Sequence, residues 1–270
     1  MTEPLLELRR VAFGYPERLV LRDLDLRLEV GERLALIGAN GSGKTTLLHL
    51  LVGLKRPTAG AVVAFGDVRE TEAAFLPVRR RVGLLFQDAD DQLFCPTVIE
   101  DVAFGPLNLG LSPAQARAVA EETLAMLGLD GYAGRITHRL SGGEKRLVSL
   151  ATVLAMHPEV LLLDEPTSGL DEATEQRLID HLADLPQTML FVTHDQDLVT
   201  RLATRILRLK EGRLHEIANP SRMPIKGLHL VGRGHPCPEL RRPVTTAQIR
   251  DERDTGEGAG PRAASVASGG

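Results

Sequence analysis

Cysteine is scarce in this sequence, and the two that it has lack the spacing of a functional pair. Cys95 and Cys237 lie far apart and form no Cys-x-x-Cys motif. Zinc ribbons and dithiol redox centres need closely spaced cysteines, so the sequence predicts neither of them. Two unpaired thiols fit a reducing compartment.

A positive net charge and a long apolar segment are also missing. The formal net charge is -4 at neutral pH, so the basic field that nucleic-acid-binding proteins carry is absent and we expect no nucleic-acid partner. No apolar run approaches the roughly 20 residues that cross a bilayer. The opening stretch MTEPLLELRR has no signal-peptide pattern. We therefore expect a cytosolic protein that reaches a membrane only through a partner.

The residues that are present predict an α/β fold. Of the 270 residues, 43% are hydrophobic, enough for a substantial core. Short apolar strands at 32–38, 159–166 and 188–195 end in polar or glycine residues and alternate with helical segments. This order is typical of a mainly parallel sheet whose strand ends form the functional site.

Two further patterns locate additional elements. Alternating apolar positions at 5–11 and 19–30 indicate half-buried strands. A helical insert is predicted from about 98 to 130, where Ser112 is suited to the N-cap and Pro113 to the first position of a helix.

The stretch GANGSGKTT, which begins at Gly38, matches the phosphate-loop pattern G-x-x-x-x-G-K-[ST] in full. Its glycines permit backbone angles that turn successive N–H groups toward phosphates. Lys44 adds a positive charge, the following helix adds its dipole, and the hydroxyl of Thr45 is suited to Mg²⁺. The predicted nucleotide-binding residues of this loop are Gly38, Asn40, Gly41, Ser42, Gly43, Lys44, Thr45 and Thr46.

Polar side chains follow three other apolar strands. Asp164 ends VLLLD, where its charge needs compensation that a Mg²⁺ ion bridging two phosphates would provide. Glu165 is predicted to polarise the attacking water, and His194 to contact the γ-phosphate. The amide of Gln87, after VGLLF, is suited to the metal or the water. The predicted catalytic residues are Glu165, His194, Gln87 and Lys44, and the predicted metal ligands are Thr45, Gln87 and Asp164.

The order of Gln87, LSGGEKR, LLLDEP, SGLD and THD resembles the ATP-binding subunit of ABC transporters over about residues 4–213. The resemblance implies a P-loop NTPase with a RecA-like core, an antiparallel β subdomain and a helical signature subdomain at about 88–157. It implies an Mg²⁺-dependent ATP hydrolase domain at 1–214, followed by an extension at 215–270. The final fifteen or so residues, rich in Gly, Ser, Ala and charge, are expected to be disordered.

The signature stretch LSGGEKR predicts a second anion site. Ser141 can cap a helix whose start leaves the N–H groups of Gly142 and Gly143 free. The resemblance implies that this site faces away from the chain's own ATP, so that two copies join head to tail and each completes the other's site. It also implies that Tyr15 stacks on adenine and that Asp171 lies at the dimer seam. An ordinary capped helix, and simple packing of Tyr15, are the alternatives.

Residues 87–112 resemble the energy-coupling-factor importers, and LSGGEKRLVSLATVLAMHPEVLLLDEPTSGLD resembles their cobalt and nickel branch. Asp88 and Ala89 depart from the Asn-Pro or Asp-Pro pair that is frequent there. The implied protein energises metal import at the cytoplasmic face of the membrane through separate integral membrane subunits. Their docking contacts are predicted at Leu93, Phe94, Val98 and Phe104, each of which could equally belong to the core of the insert.

Other functions remain as alternatives. A vitamin importer of the same type would use the same motifs. A soluble ABC ATPase would usually show two fused halves or a long coiled-coil insert, and a non-catalytic relative would have lost some of the motif residues that this sequence retains. His229, His235 and Cys237 lack a fourth ligand and standard zinc spacing, so no metal site is predicted there.

Overall fold

Two β-sheets organise residues 3–217, the part of the chain that the computed structural model describes. The strands are β1 Leu6–Tyr15, β2 Arg18–Leu28, β3 Arg33–Ile37, β4 Ala59–Ala64, β5 Asp67–Val68, β6 Val82–Leu85, β7 Val160–Asp164, β8 Thr188–Val192, β9 Arg205–Lys210 and β10 Arg213–Ile217. The α-helices are α1 Lys44–Leu51, α2 Glu72–Arg81, α3 Val98–Asn108, α4 Pro113–Met126, α5 Gly142–Leu154, α6 Glu172–Asp184 and α7 Gln196–Leu202. Short 3-10 turns occupy Ala89–Asp91 and Thr137–Arg139.

The smaller sheet is antiparallel, with the strand order β2-β1-β4-β5. In β2 the alternating residues Leu24, Leu26 and Leu28 are buried while their neighbours are exposed. One face therefore packs on the core and the other meets solvent, as the period-two pattern of the sequence predicted.

The larger sheet has the order β10-β9-β3-β8-β7-β6, and its pairs are parallel except that of β10 with β9. Every residue of β7 and β8 is buried, because a parallel sheet is covered on both faces. Along β7, Leu161 and Leu163 join the apolar cluster on one face, and Val160 and Leu162 join the cluster on the other. The predicted parallel sheet is confirmed.

Helices α3, α4 and α5 form the helical region of the chain. As predicted, α4 begins after Ser112, whose N–H and hydroxyl both donate to the side chain of Gln115, at 3.0 and 2.9 Å. The buried carboxylate of Asp101 accepts the N–H groups of Phe94 and Cys95, at 3.1 and 2.9 Å. These bonds tie the loop before α3 to that helix.

Strand β10 is the last described element, and the predicted extension from residue 215 begins within it. The rest of the extension, including His229, His235 and Cys237, lies outside the described residues. The domain boundary at 214 therefore stays a prediction.

Candidate active site

The phosphate-loop sequence connects β3 to α1 at the edge where the parallel strands end. Gly41 and Gly43 adopt φ values of 73° and 107°, which L side chains rarely adopt. A Cβ atom on Gly43 would also lie 2.6 Å from Cγ1 of Val20. The turn into α1 therefore depends on glycine at this position.

Lys44 is only 8% exposed, and its Nζ donates to the carbonyls of Gly38 and Ala39, at 2.9 and 3.2 Å. No carboxylate forms an ion pair with this ammonium within residues 3–217. The nearby hydroxyl of Ser42 is buried without a hydrogen-bond partner. A buried cation and an unsatisfied hydroxyl in one glycine loop fit the phosphates of a nucleotide.

Asp164 closes β7 and is 2% exposed. Burial raises the pKa of this carboxyl, and the hydrogen bond that Thr45 donates opposes part of the rise. Its Oδ1 is buried without a partner. An orphaned carboxylate oxygen beside a hydroxyl fits a hard cation such as Mg²⁺. Residues 3–217 hold no cluster of three or more acidic, His or Cys ligands, so oxygens of phosphate and water would complete the coordination.

Glu165 is the next residue after Asp164 and has a φ of 48°. Such a conformation costs a non-glycine residue about 1–3 kcal/mol and is found disproportionately at functional sites. The residue is 8% exposed, and its N–H donates to the carbonyl of Val192 at 2.9 Å. Its Oε2 lies 2.9 Å from Nδ1 of His194, without the angle of a hydrogen bond. The His194 side chain is 79% exposed, so the Glu165 carboxylate is buried in the protein while the His194 imidazole lies at the surface of the site.

A cavity of about 550 Å³ lies between α1, the segment after β6 and the start of α5, and Asp164, Glu165 and His194 are not among its lining residues. Thr45 and Gln87, both predicted site residues, line it, and so does Gly142 of the signature stretch in the same chain. Ser141 and Gly143 are not among its lining residues. The cavity is thus bounded by the phosphate-loop helix, the segment after β6 and the N-terminus of α5.

The start of α5 is held by a capping box. The N–H of Ser141 donates to Oε2 of Glu144 at 2.8 Å, and the N–H of Glu144 donates to the Ser141 hydroxyl at 3.3 Å. Tyr132 donates its hydroxyl to the other Glu144 oxygen at 2.7 Å. A Cβ on Gly142 would meet no atom within 4 Å. This end of the helix is open to an anion.

Tyr15 and Asp171, the two residues whose roles the resemblance implied, have well-defined neighbours within this chain. Tyr15 is 49% exposed, and a hydrogen bond with Thr46 of the phosphate loop lowers its pKa. Nζ of Lys55 lies 5.2 Å from the centre of the Tyr15 ring. Asp171 caps α6 by accepting the N–H of Thr174 at 3.0 Å. Stacking on adenine and a position at a dimer seam stay predictions.

Two of the side chains that line this cavity, His49 and Arg146, are buried or partly buried residues that were not predicted from the sequence. His49 lies one turn after Thr45 on α1, and burial lowers the pKa of its imidazole. The spacing of four residues between Thr45 and His49 places both on one face of a helix, and this could have indicated His49 from the sequence. Arg146, buried in α5, was indistinguishable from a surface charge in the polar stretch LSGGEKR.

The residues predicted to contact a membrane subunit differ in burial, and some lie in the core while others lie at the surface. Val98 is fully buried, so for this residue the alternative of a core position is correct. Leu93 is partly buried against the same core. Phe94 and Phe104 are 66% and 44% exposed, with ring centres 4.8 Å apart. Both line a groove of about 330 Å³ on the helical region.

Known proteins match both the sequence and the fold. The family model described as ABC transporter matches residues 21–168. A putative ABC transporter ATP-binding protein of Nitratidesulfovibrio vulgaris is 56% identical over 77% of this chain and 77% of its own length. Two proteins of Rhodobacter capsulatus are named cobalt import ATP-binding protein CbiO and nickel import ATP-binding protein NikO. CbiO is 48% identical over 78% of this chain and 77% of its own length. NikO is 47% identical over 78% of this chain and 87% of its own length.

Two solved structures share the fold. The cbiO1 protein of Clostridium perfringens, described as part of the transporter complex cbiONQ, has a TM-score of 0.72 at 31% identity. The match covers 82% of this chain and 90% of that one. The ATP-binding cassette MJ0796, a dimer bound to ADP and Pi, also has a TM-score of 0.72, at 29% identity over 78% of this chain and 97% of that one. The predicted P-loop NTPase fold is confirmed.

Replacing Lys44 tests the phosphate loop. Lys44→Ala removes the buried ammonium, and because a hydrogen bond to a charged group is worth about 1.5–3 kcal/mol, ATP affinity should fall roughly 10- to 100-fold. Titration with a fluorescent ATP analogue measures this. Lys210→Ala removes a side chain that is 68% exposed and should leave affinity unchanged. Equal affinity of Lys44→Ala and the wild type would contradict the assignment.

Proposed function

Because the chain belongs to the ABC transporter family and is one of its ATP hydrolases, we propose that it energises the import of a transition-metal ion, cobalt or nickel, through separate integral membrane subunits. The metal branch is supported by the names of the CbiO and NikO relatives and by the cbiO1 structure. The hydrolytic role is carried by one observation, the buried Asp164 carboxylate, which accepts a hydrogen bond from Thr45 while its Oδ1 has no partner.

Each residue of the site has a proposed role. The loop from Gly38 to Thr46, with Lys44, holds the phosphates of ATP, and Tyr15 supports the adenine. Thr45, Asp164 and Gln87 would hold Mg²⁺, which when bound would supply positive charge to the phosphates. The described residues contribute the hydroxyl and carboxylate oxygens that this ion prefers.

Glu165 is the proposed general base. Its carboxylate lies beside Asp164 but faces the His194 imidazole, where it can accept a proton from a water that attacks the γ-phosphate. His194 is mostly exposed, so it is placed to donate to the phosphate at the mouth of the site. Burial of Glu165 keeps bulk water from competing for its oxygens.

ABC relatives such as MJ0796 form dimers, and we infer a head-to-tail dimer for this chain. In it the N-terminus of α5, with Ser141, Gly142 and Gly143, binds the ATP held by a second copy, and Asp171 lies at the seam. The open space at Gly142 and the unpaired N–H groups of a helix start support this role.

The groove on the helical region is the proposed docking place for a membrane subunit. Phe94, Phe104 and Met156 give it an apolar lining, and an exposed apolar groove fits the apolar face of a helix. Phe86 lines both this groove and the cavity beside Thr45, so docking and the nucleotide site share a wall.

No helix within residues 3–217 is both long and apolar enough to cross a bilayer. Association with membrane subunits, as the cbiO1 structure's description as part of a transporter complex suggests for that relative, would place the described domain at the cytoplasmic face, where ATP is available. This location is part of the proposal.

Replacing Glu165 tests the base. Glu165→Gln keeps the size of the side chain but cannot accept the proton, so kcat should fall about 10²- to 10⁴-fold. ATP binding should persist, and a nucleotide-bound dimer should accumulate in size-exclusion chromatography. Glu122→Gln, at an exposed position of α4, is the matched control. Wild-type turnover of Glu165→Gln would remove this residue from the base role.

Mixing two inactive variants tests whether the site is shared between copies. Lys44→Ala impairs the phosphate loop, and Gly142→Asp places a carboxylate where the second copy's phosphate would bind. In a head-to-tail dimer each mixed pair contains one intact site, so an equal mixture should regain about a quarter of the wild-type rate of ATP hydrolysis.

If Gly142 instead served the ATP of its own chain, with which it shares a cavity, the mixture would stay inactive. Gly142→Ala has room for its methyl group and is the control for backbone effects.

Uptake tests the cargo. Cells that express this chain together with its membrane subunits should accumulate radiolabelled cobalt or nickel, and cells with Glu165→Gln should not, because uptake depends on hydrolysis. A labelled vitamin is measured in the same cells. Accumulation of the vitamin without either metal would replace the proposed cargo and leave the ATPase assignment intact.

A further inference from the structure

Arg146 is a buried guanidinium whose five N–H donors all face backbone carbonyls. It is the fifth residue of α5 and is 3% exposed. Nε donates to Pro166 at 3.0 Å, Nη1 donates to Phe86 and to Gln87, the latter at 3.2 Å, and Nη2 donates to Asp164 and to Glu165, the latter at 2.6 Å. An arginine has five such donors, so the side chain is fully satisfied.

The acceptors belong to the two segments that carry the proposed chemistry. Phe86 and Gln87 follow β6, and Asp164 to Pro166 end β7 and continue beyond it. Because every acceptor is a main-chain oxygen, Arg146 fixes the path of the backbone and leaves the side chains of these segments free for a ligand. One residue of α5 thus holds both strand exits in a single arrangement.

A second side chain strengthens this connection. Gln92 accepts the N–H of Phe86 at 3.1 Å, while its Nε2 donates to the carbonyl of Ser149 and the hydroxyl of Thr152, both at 2.8 Å. Ser149 and Thr152 lie on α5. Both backbone groups of Phe86 are therefore bound to this helix, one through Gln92 and the other through Arg146.

The strained backbone of Glu165 gives Arg146 a specific task. A left-handed non-glycine conformation persists only where the surroundings hold it, and the carbonyls of Asp164, Glu165 and Pro166 all converge on this guanidinium. Removing the guanidinium would take one hydrogen bond from each of three successive carbonyls around the proposed base.

Burying this cation is costly, which argues against simple core packing. Burial lowers the pKa of Arg146 to about 10, although Asp164, Glu165 and Asp88 favour its charged form, so it remains protonated at neutral pH. Apolar residues of similar volume often stabilise a core at least as well as buried charges. An apolar residue, however, could not hold the five carbonyls in their present arrangement, because it has no hydrogen-bond donor.

We propose that Arg146 is a positioning residue for ATP hydrolysis, which holds Gln87 and Glu165 in their catalytic geometry from the signature helix. The inference rests on the proposed roles of Glu165 and Gln87. In this role Arg146 acts through the main-chain carbonyls that it binds.

The test compares Arg146→Met, which keeps the aliphatic stem, with Arg146→Lys, which keeps the charge. For each purified full-length variant, kcat is expressed per nucleotide-binding site, counted by titration with a fluorescent ATP analogue. Misplacing a catalytic group by about 1 Å costs about 100-fold, so Arg146→Met should lose about that much kcat. Since Arg146 makes no hydrogen bond to residues 38–46, ATP affinity should stay within about threefold of wild type.

Arg146→Lys should recover about tenfold of this loss, because an ammonium has three donors and can satisfy some of the five carbonyls. Arg117→Met is the matched control, since that side chain is 63% exposed on α4 and pairs only with Glu121 among the ion pairs of the described residues. It should leave kcat and affinity unchanged.

Three results would overturn the inference: an unchanged kcat per binding site in Arg146→Met, a loss of ATP affinity that accounts for the whole decrease, or no recovery in Arg146→Lys. If Arg146→Met does not fold, Arg146→Lys decides, and a kcat within about twofold of wild type then contradicts the inference.

Glu165→Gln separates this failure from failure of the proposed function. If Glu165→Gln is inactive and the Arg146 variants are not, only the present inference fails, and if Glu165→Gln turns over normally, both fail.

Discussion

Buried charges at the edge where the parallel strands end are the constraint on which the rest of this structure depends. Lys44, Arg146 and Asp164 are each less than a tenth exposed. Arg146 is fully satisfied by main-chain carbonyls, whereas Lys44 has carbonyl acceptors for two of its three donors and one oxygen of the Asp164 carboxylate has no partner. A buried group that lacks compensation is costly in a folded protein. The imbalance is therefore best understood as a place kept for a ligand that brings both phosphate oxygens and a cation.

The sheet topology explains why so much of this site could be predicted. Motif and strand lie next to each other in the sequence, as with VLLLDEP and the end of β7, and parallel pairing brings the ends of β3, β6, β7 and β8 to one edge. Once short apolar strands are recognised, the polar residues that follow them must converge. Asp164, Glu165 and His194 needed no long-range information beyond this rule.

The role of Arg146 could not be predicted in the same way. Its acceptors lie 18 to 60 residues away along the chain, and all are main-chain oxygens, which every residue possesses. When a side chain binds only main-chain atoms, the sequence contains no particular residue type that would identify its partners. The burial of Val98 against the exposure of Phe94 and Phe104 was equally hidden, because all three are apolar and only the packing of α3 against its neighbours separates them.

Helix α5 joins the two halves of the proposed mechanism. Its N-terminus carries the proposed anion site at Ser141 to Gly143, and Arg146 lies one turn further along the same helix. A phosphate that pulled on the helix start would therefore move the guanidinium with it, and through five carbonyls would move the backbone of Gln87 and Glu165. The wall residue Phe86, bound to α5 through Gln92 and Arg146, would carry the same displacement to the groove between Phe94 and Met156. Packed elements of this kind shift as units rather than deform continuously. In the proposed head-to-tail dimer, binding of a second copy's nucleotide and alignment of this chain's own base would thus be one event.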